Sequence, residues 1–291
     1  MPGEPRPRVP APRKGRKARP MTIALGYKCW NGVIVAADTL VVVDHEEAQE
    51  GSKLTSWWVP SGSYAFVNAS NDAHATEDLL TSIFHALENA IVPSYIELGK
   101  IIKKQMREWS DGFGRRKPPS SPLLMGVKLV GKRAKLFLCD PPNTFVEQDD
   151  YKAIGLGASV SDPLYFLLFD NNGGEHTDVQ TVLRRIAYLM YRTKKGNIWC
   201  GKRTHAAVVF RDNLTPSTVN TLDMERAEDV SKELDWLFSA AAIFALQKDE
   251  SVLERNAQGL GDMLKNFASL RAVTFRDNYG DEIATPLTAQ M

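Results

Sequence analysis

Two β-rich stretches, residues 22–29 and 32–38, meet at Asn31-Gly32, and this arrangement restricts the fold more than any other feature of the chain. Asn-Gly is a strong hairpin turn pair, so the run from Thr22 to Asp38 reads as two antiparallel strands. The run opens on Thr22, directly after Met21 and a tail of different character. A threonine with a free α-amine carries nucleophile and base on one residue, because the amine can take the hydroxyl proton. That chemistry requires residues 1–21 to be removed.

Residues 1–20 hold seven Arg/Lys, one Glu and six prolines, a net charge of +6. The whole chain is at +1, so residues 21–291 carry −5. The composition makes the tail disordered. Three readings of it stand: a removable leader, a weak polyanion contact, or an extension upstream of a start at Met21. A basic tail on a mildly acidic body argues against a nucleic-acid binder. No apolar stretch reaches the roughly 20 residues of a membrane span. Nor does the Pro-rich start have the apolar centre of a secretory signal. Cys29, Cys139 and Cys200 are far apart and odd in number, which suits a reducing, cytoplasmic setting. The five histidines show no metal-ligand spacing, and Gly155-Leu-Gly157 lacks the third glycine of a dinucleotide fingerprint. We therefore expect no cofactor and no metal.

Further along, a polar loop is expected over Asp44–Ser52, then strands over Lys53–Val59 and Tyr64–Asn68. Leu79, Leu80, Ile83, Phe84, Leu87 and Ile91 have the spacing of one buried helix face, from Asn71 to Pro93. A second helix follows over Ser94–Trp109. Strands return at Leu123–Val130, Lys135–Cys139, Thr144–Glu147 and Tyr151–Ile154. Ser161-Asp162-Pro163 reads as a helix N-terminus. A helix over Thr177–Tyr191 leads to strands at Thr204–Arg211 and Thr218–Leu222. Helices are expected at Val230–Leu246 and Val252–Leu270, and a loose tail from Asp277. Strand blocks separated by helix pairs predict two sheets between helical layers, an α+β architecture. The domain plan is a tail over 1–21, a body over 22–222 and a helical extension over 223–291.

Several segments resemble proteasome β-type subunits and their bacterial ring-peptidase relatives, members of the N-terminal-nucleophile hydrolases. Asn31-Gly-Val-Ile-Val-Ala-Ala-Asp38-Thr39 is similar to the family's second strand. Gly51-Ser-Lys53-Leu54 is similar to its lysine segment, Val67-Asn-Ala-Ser-Asn-Asp72-Ala73 to the start of its first helix, and Ala153-Ile-Gly155-Leu-Gly157 to the loop before its third. The resemblance spans about residues 22–222. It implies a four-layer αββα sandwich and a threonine peptidase acting within a homo-oligomeric ring or related assembly. Peptide or unfolded protein would be the substrate, with an ATP-dependent unfoldase as a possible partner.

In that family Thr22 falls on the N-terminal nucleophile, Lys53 on the catalytic lysine and Asp38 on the residue that orients it. The backbone N–H of Asn68 falls on the oxyanion donor, and Phe66 and Ser70 fall on the substrate pocket. Three positions depart from the pattern. Leu156 stands in place of the family serine, and Met21 in place of the glycine before the threonine. The segment Arg192-Thr-Lys-Lys-Gly-Asn-Ile-Trp-Cys200-Gly201 stands in place of Arg-Asp-x-x-Ser-Gly-Gly, with Thr193 and Cys200 as the nearest substitutes. An inactive structural subunit and an amidase acting on a non-peptide amide are the alternative readings.

Overall fold

A computed structural model describes residues 22–43, 47–70, 72–168, 177–198, 200–245 and 273–283. The chain runs β1 (Ile23–Cys29), β2 (Gly32–Asp38), β3 (Leu40–Val43), β4 (Glu47–Glu50), β5 (Leu54–Val59) and β6 (Gly62–Asn68). Helices α1 (Ala73–Glu88) and α2 (Tyr95–Asp111) follow, then β7 (Leu123–Leu129), β8 (Lys135–Asp140), β9 (Thr144–Gln148) and β10 (Tyr151–Gly155). The rest comprises α3 (Ala158–Leu168), α4 (Val179–Gly196), β11 (Thr204–Phe210), β12 (Ser217–Thr218) and α5 (Thr221–Ala245). Two five-stranded antiparallel sheets result, ordered β10-β1-β2-β11-β12 and β5-β6-β7-β8-β9, with β3-β4 a separate hairpin. The fold is α+β.

The two-residue period of a strand decides where each side chain goes. In β1, Ile23, Leu25 and Tyr27 join a core shared with α4, whereas Ala24 joins the residues between the sheets. In β2, Ile34 and Ala36 take the first course and Val33, Val35 and Ala37 the second. The other sheet repeats the division. Tyr64 and Phe66 of β6 pack with Leu79, Ile83, Leu98 and Ile102 of α1 and α2, and Ala65 and Val67 turn the opposite way. Both faces of the central strands are therefore buried, which is why their sequences are nearly unbroken apolar runs.

Small residues set the spacing between sheets. A Cβ on Gly26 would lie 2.6 Å from Leu136 Cδ1, and one on Gly126 would lie 3.0 Å from Val33 Cγ1. The β1–β2 turn differs from the expected Asn31-Gly32 pair: its residues are Trp30 and Asn31, and Gly32 is the first residue of β2. Glycine is required there by close approach rather than by the turn, since a Cβ would sit 2.5 Å from the Val209 carbonyl oxygen.

The helix ends follow local chemistry. Asp72, Ser94 and Asp178 cap α1, α2 and α4 by accepting from the backbone N–H three residues on. Helix α3 starts at Ala158, not at the expected Ser161, and Pro163 lies inside it. Ser161 is no cap; its hydroxyl donates back to Gly157 O at 3.2 Å. Part of the expected polar loop over Asp44–Ser52 is the strand β4, paired with β3. Helix α5 begins at Thr221, nine residues before the expected Val230, where Asn220 Oδ1 accepts from Leu222 N at 2.9 Å. The helix expected over Val252–Leu270 lies outside the described residues. The expected loose tail from Asp277 is packed as far as Ile283, which is buried with Phe275 in the same core as β1. Asp223 holds this segment through the Arg276 guanidinium at 2.9 Å and the Arg276 N–H at 3.0 Å.

Candidate active site

Hairpin register brings the first two site residues together. Ala24 pairs with Ala37, so Asp38 at the end of β2 comes level with Ile23, and its carboxylate reaches the neighbouring Thr22, just before β1. Asp38 is fully buried and surrounded by donors. Its Oδ1 accepts from the Thr22 hydroxyl and from Ile23 N at 3.2 Å, and its Oδ2 accepts from Gly201 N at 3.0 Å. Lys53, on the approach to β5, extends its ammonium into the same place. Nζ donates to Asp38 Oδ1 at 2.7 Å, to Thr22 Oγ1 at 2.5 Å and to Leu40 O at 2.5 Å. Three residues separated by up to 31 positions thus share one hydrogen-bonded cluster.

Burial lowers the Lys53 pKa from the ordinary lysine value, and the nearby Asp38 carboxylate only partly restores it. The ammonium is therefore easier to deprotonate than a solvated lysine. Thr22 itself is fully buried, and its Oγ1 accepts from Lys53 while donating to Asp38. Geometry of this kind polarises the hydroxyl and already provides an acceptor for its proton.

The glycine loop after β10 holds the backbone of Thr22. Gly157 N donates to Thr22 O at 3.2 Å. Gly155 adopts a positive φ of 90°, and a Cβ there would sit 2.3 Å from Thr22 O. A Cβ on Gly157 would meet Ile23 Cβ at 2.5 Å and Thr193 Cγ2 at 2.6 Å. Thr193 and Cys200, which the resemblance sets where an Asp and a Ser are expected, both reach this region. Thr193 is fully buried and its Oγ1 has no hydrogen-bond partner among the described residues. Burial, reinforced by the Asp38 charge, pushes the Cys200 thiol up to about 12, so it stays protonated rather than competing as a nucleophile.

Other expected site residues are placed differently. The Asn68 N–H, expected as an oxyanion donor, is already bonded to Lys53 O at 3.1 Å, and its side-chain amide donates to the same oxygen at 3.3 Å. Asn68 thus fixes the Lys53 backbone. Phe66, expected in an apolar substrate pocket, is fully buried and stacked on Trp57 with ring centroids 4.9 Å apart. Ser70 Oγ lies 3.0 Å from Ser121 Oγ and accepts from Asp72 N at 3.0 Å, which builds the entry to α1.

Two contributions are not anticipated from the sequence. One is Gly201 N on Asp38; its signal was the Cys200-Gly201 pair. The other comes from α5. Lys194 Nζ lies 2.8 Å from both Glu228 carboxylate oxygens and from Thr204 Oγ1, and Thr204 pairs with Asp38 across β11 and β2. Asp235 of α5 pairs with Arg192 and with Lys195, the latter at 2.6 Å. Arg192, Lys194 and Lys195 are therefore all tied to α5.

No protein-family model and no curated protein sequence matches this chain. Solved structures do. Anbu (ancestral beta-subunit) from Yersinia bercovieri superposes with a TM-score of 0.64 at 17% identity, covering 78% of this chain and 99% of that one. An Anbu Gly-1 mutant from Hyphomicrobium sp. strain MC1 gives 0.64 at 16% identity, over 78% and 98% of the two chains. The helical assembly of the Anbu complex from Pseudomonas aeruginosa gives 0.59 at 16%, over 84% and 96%. The chain shares the fold of these Anbu structures. At this identity the likeness is one of fold alone.

Proposed function

We propose that this chain is a threonine peptidase whose nucleophile is Thr22, freed at its amine by removal of residues 1–21. The convergence of Thr22, Asp38 and Lys53 in one buried cluster carries this reading. While the bond from Met21 is intact, the Thr22 nitrogen is an amide and no base. Once freed, an α-amine of pKa about 7.7–8.0 takes the hydroxyl proton near neutral pH. The Thr22 oxygen then adds to the peptide carbonyl. Lys53 stabilises the developing alkoxide by its charge, and Asp38 holds Lys53 in place. Collapse of the adduct forms an ester to Thr22 and releases the amine product, which takes the proton back. Water, deprotonated by the same amine, then hydrolyses the ester.

We also infer the layer order α-β-β-α, supported by the three cores: α3, α4 and α5 over one sheet, the sheet–sheet interface, and α1 and α2 over the other. The Anbu complex from Pseudomonas aeruginosa is a helical assembly. By that likeness we propose a homo-oligomer acting on peptides or unfolded protein in the cytoplasm, with an ATP-dependent unfoldase as a candidate partner.

A second reading is an inactive structural subunit. It draws on the full burial of Thr22, on Leu156 in place of a serine and on the engaged Asn68 N–H. Intact-mass and N-terminal analysis of the purified protein, followed by labelling with a threonine-directed electrophile, separates the two. A chain beginning at Thr22 and labelled there, with labelling lost in Thr22→Ala, is the expected result. A chain beginning at Met1 or Met21, or unchanged labelling of Thr22→Ala, refutes the peptidase assignment. Preference for peptide over small amides then distinguishes a peptidase from an amidase.

A further inference from the structure

At the far end of the two sheets from Thr22 lies a cleft of about 390 Å³, lined by Lys28, Trp30, Arg133, Lys135, Glu147 and Arg211. Strand β1 leads from one site to the other: it begins beside Thr22 and ends at Cys29 on the cleft wall. At about 3.3 Å per residue the separation is roughly 20 Å, so the cleft is no part of the hydroxyl cluster.

Four cations and one carboxylate give the lining a net +3, although residues 21–291 together carry −5. Glu147 is committed to Lys135 at 2.6 Å. Lys28, Arg133 and Arg211 make no ion pair among the described residues. Like charges gathered around one cavity repel, and a bound anion reverses the sign of that term.

Each of the three unpaired cations stands on anchored backbone. Arg211 N donates to Asn31 O and Lys28 N to Asp150 O, both at 2.7 Å, and the Tyr95 hydroxyl donates to Arg133 O. Arg211 also lies over the Trp30 ring, 5.9 Å from its centroid, while Trp30 remains 47% exposed. The cations come from separate turns and strands of both sheets, so they surround the cleft rather than meet at one point. A single carboxylate satisfies one of them. An oligophosphate presents several anionic oxygens along its length and suits paired guanidinium forks. The volume is within the range of small-ligand sites.

We propose that this cleft binds a small, multiply charged phosphate compound, either a free oligophosphate or the phosphate chain of a nucleotide. The test is calorimetric titration of the full chain with inorganic triphosphate, ADP and citrate at matched ionic strength, repeated on Arg133→Glu/Arg211→Glu and on the milder Arg133→Gln. The expected result is saturable one-site binding of triphosphate. It should weaken at least tenfold in the double variant and severalfold in Arg133→Gln, with citrate much weaker throughout. Tighter binding of ADP than of triphosphate, lost in Trp30→Ala, names a nucleotide as the ligand; the reverse order names the free phosphate chain. Binding unchanged in the double variant places the anion elsewhere, the basic residues 1–20 included, and overturns the proposal. So do citrate binding as tight as triphosphate and the absence of saturable binding at millimolar triphosphate.

Discussion

The buried Lys53–Asp38 pair offers the sharpest quantitative test, because each partner is costly without the other. Their side chains are 8% and 0% exposed, with Nζ and Oδ1 2.7 Å apart. Removing one partner of such a pair leaves a buried charge and costs roughly 3–5 kcal/mol. Lys53→Met falls at the lower end, about 3 kcal/mol, because Asp38 keeps Ile23 N, Gly201 N and the Thr22 hydroxyl as donors. Asp38→Asn removes the counter-charge and turns an amide donor toward the ammonium, at a similar cost. The double variant leaves no uncompensated charge, so its loss should fall short of the sum by about 2 kcal/mol. Denaturant unfolding of the four proteins supplies the cycle. At about 2–4 °C per kcal/mol, each single variant lowers Tm by roughly 6–12 °C. Additivity to within about 0.5 kcal/mol refutes the coupling, and with it the idea that Asp38 holds Lys53 in place.

The same lysine gives the stability a pH signature. Its folded pKa is lowered by burial, and the unfolded value is about 10.4. Between the two the unfolded chain binds more protons, so the lysine's contribution improves as pH rises through that window. The deficit of Lys53→Met relative to the wild type should therefore widen with rising pH, and a deficit that narrows refutes the sign. Gly157→Ala should cost about 1–3 kcal/mol in denaturant unfolding, because its Cβ would press on Ile23 and Thr193. Glu228→Gln should cost about 1.5–3 kcal/mol by removing half of the Lys194 grip, measured the same way. In chains that begin at Thr22 it should also slow electrophile labelling.

The fold was legible where one periodicity governed a whole element. The apolar runs of β1, β2, β6 and β7 and the spaced faces of α1 and α4 gave element type directly, since burial and period coincide there. Three errors have local causes. Glu47-Ala-Gln-Glu50 is too polar to read as a strand, yet its pairing with β3 needs only backbone groups. Ser161-Asp162-Pro163 imitates a helix start, but the positive φ of Gly155 turns the chain out of β10 early enough for α3 to begin at Ala158. Proline at 163 then costs a backbone bond within the helix. The stretch after Asp277 looks loose because its apolar residues are few; Ile283 anchors it in the core beside Phe275, and Asp223 secures its start by meeting Arg276 from 53 residues away.

Sequence separation explains the same division within the site. Thr22 and Asp38 lie on one hairpin, whose register sets Asp38 level with Ile23, one residue from Thr22, close enough for the two side chains to bond. Lys53 arrives one short hairpin later. The groups that complete the arrangement come from much further along the chain: Gly201 reaches Asp38 across 163 residues, and Glu228 acts through Lys194 from 34 residues beyond it. No interval predicts such contacts, because they depend on how β11 and α5 lie against β2 and α4. The absence from the 192–201 segment of the Asp and Ser that the resemblance led one to expect thus has a structural counterpart that no motif could show. That segment is held from outside by the Glu228 and Asp235 carboxylates of α5, while Thr193 turns inward with its hydroxyl unpartnered among the described residues.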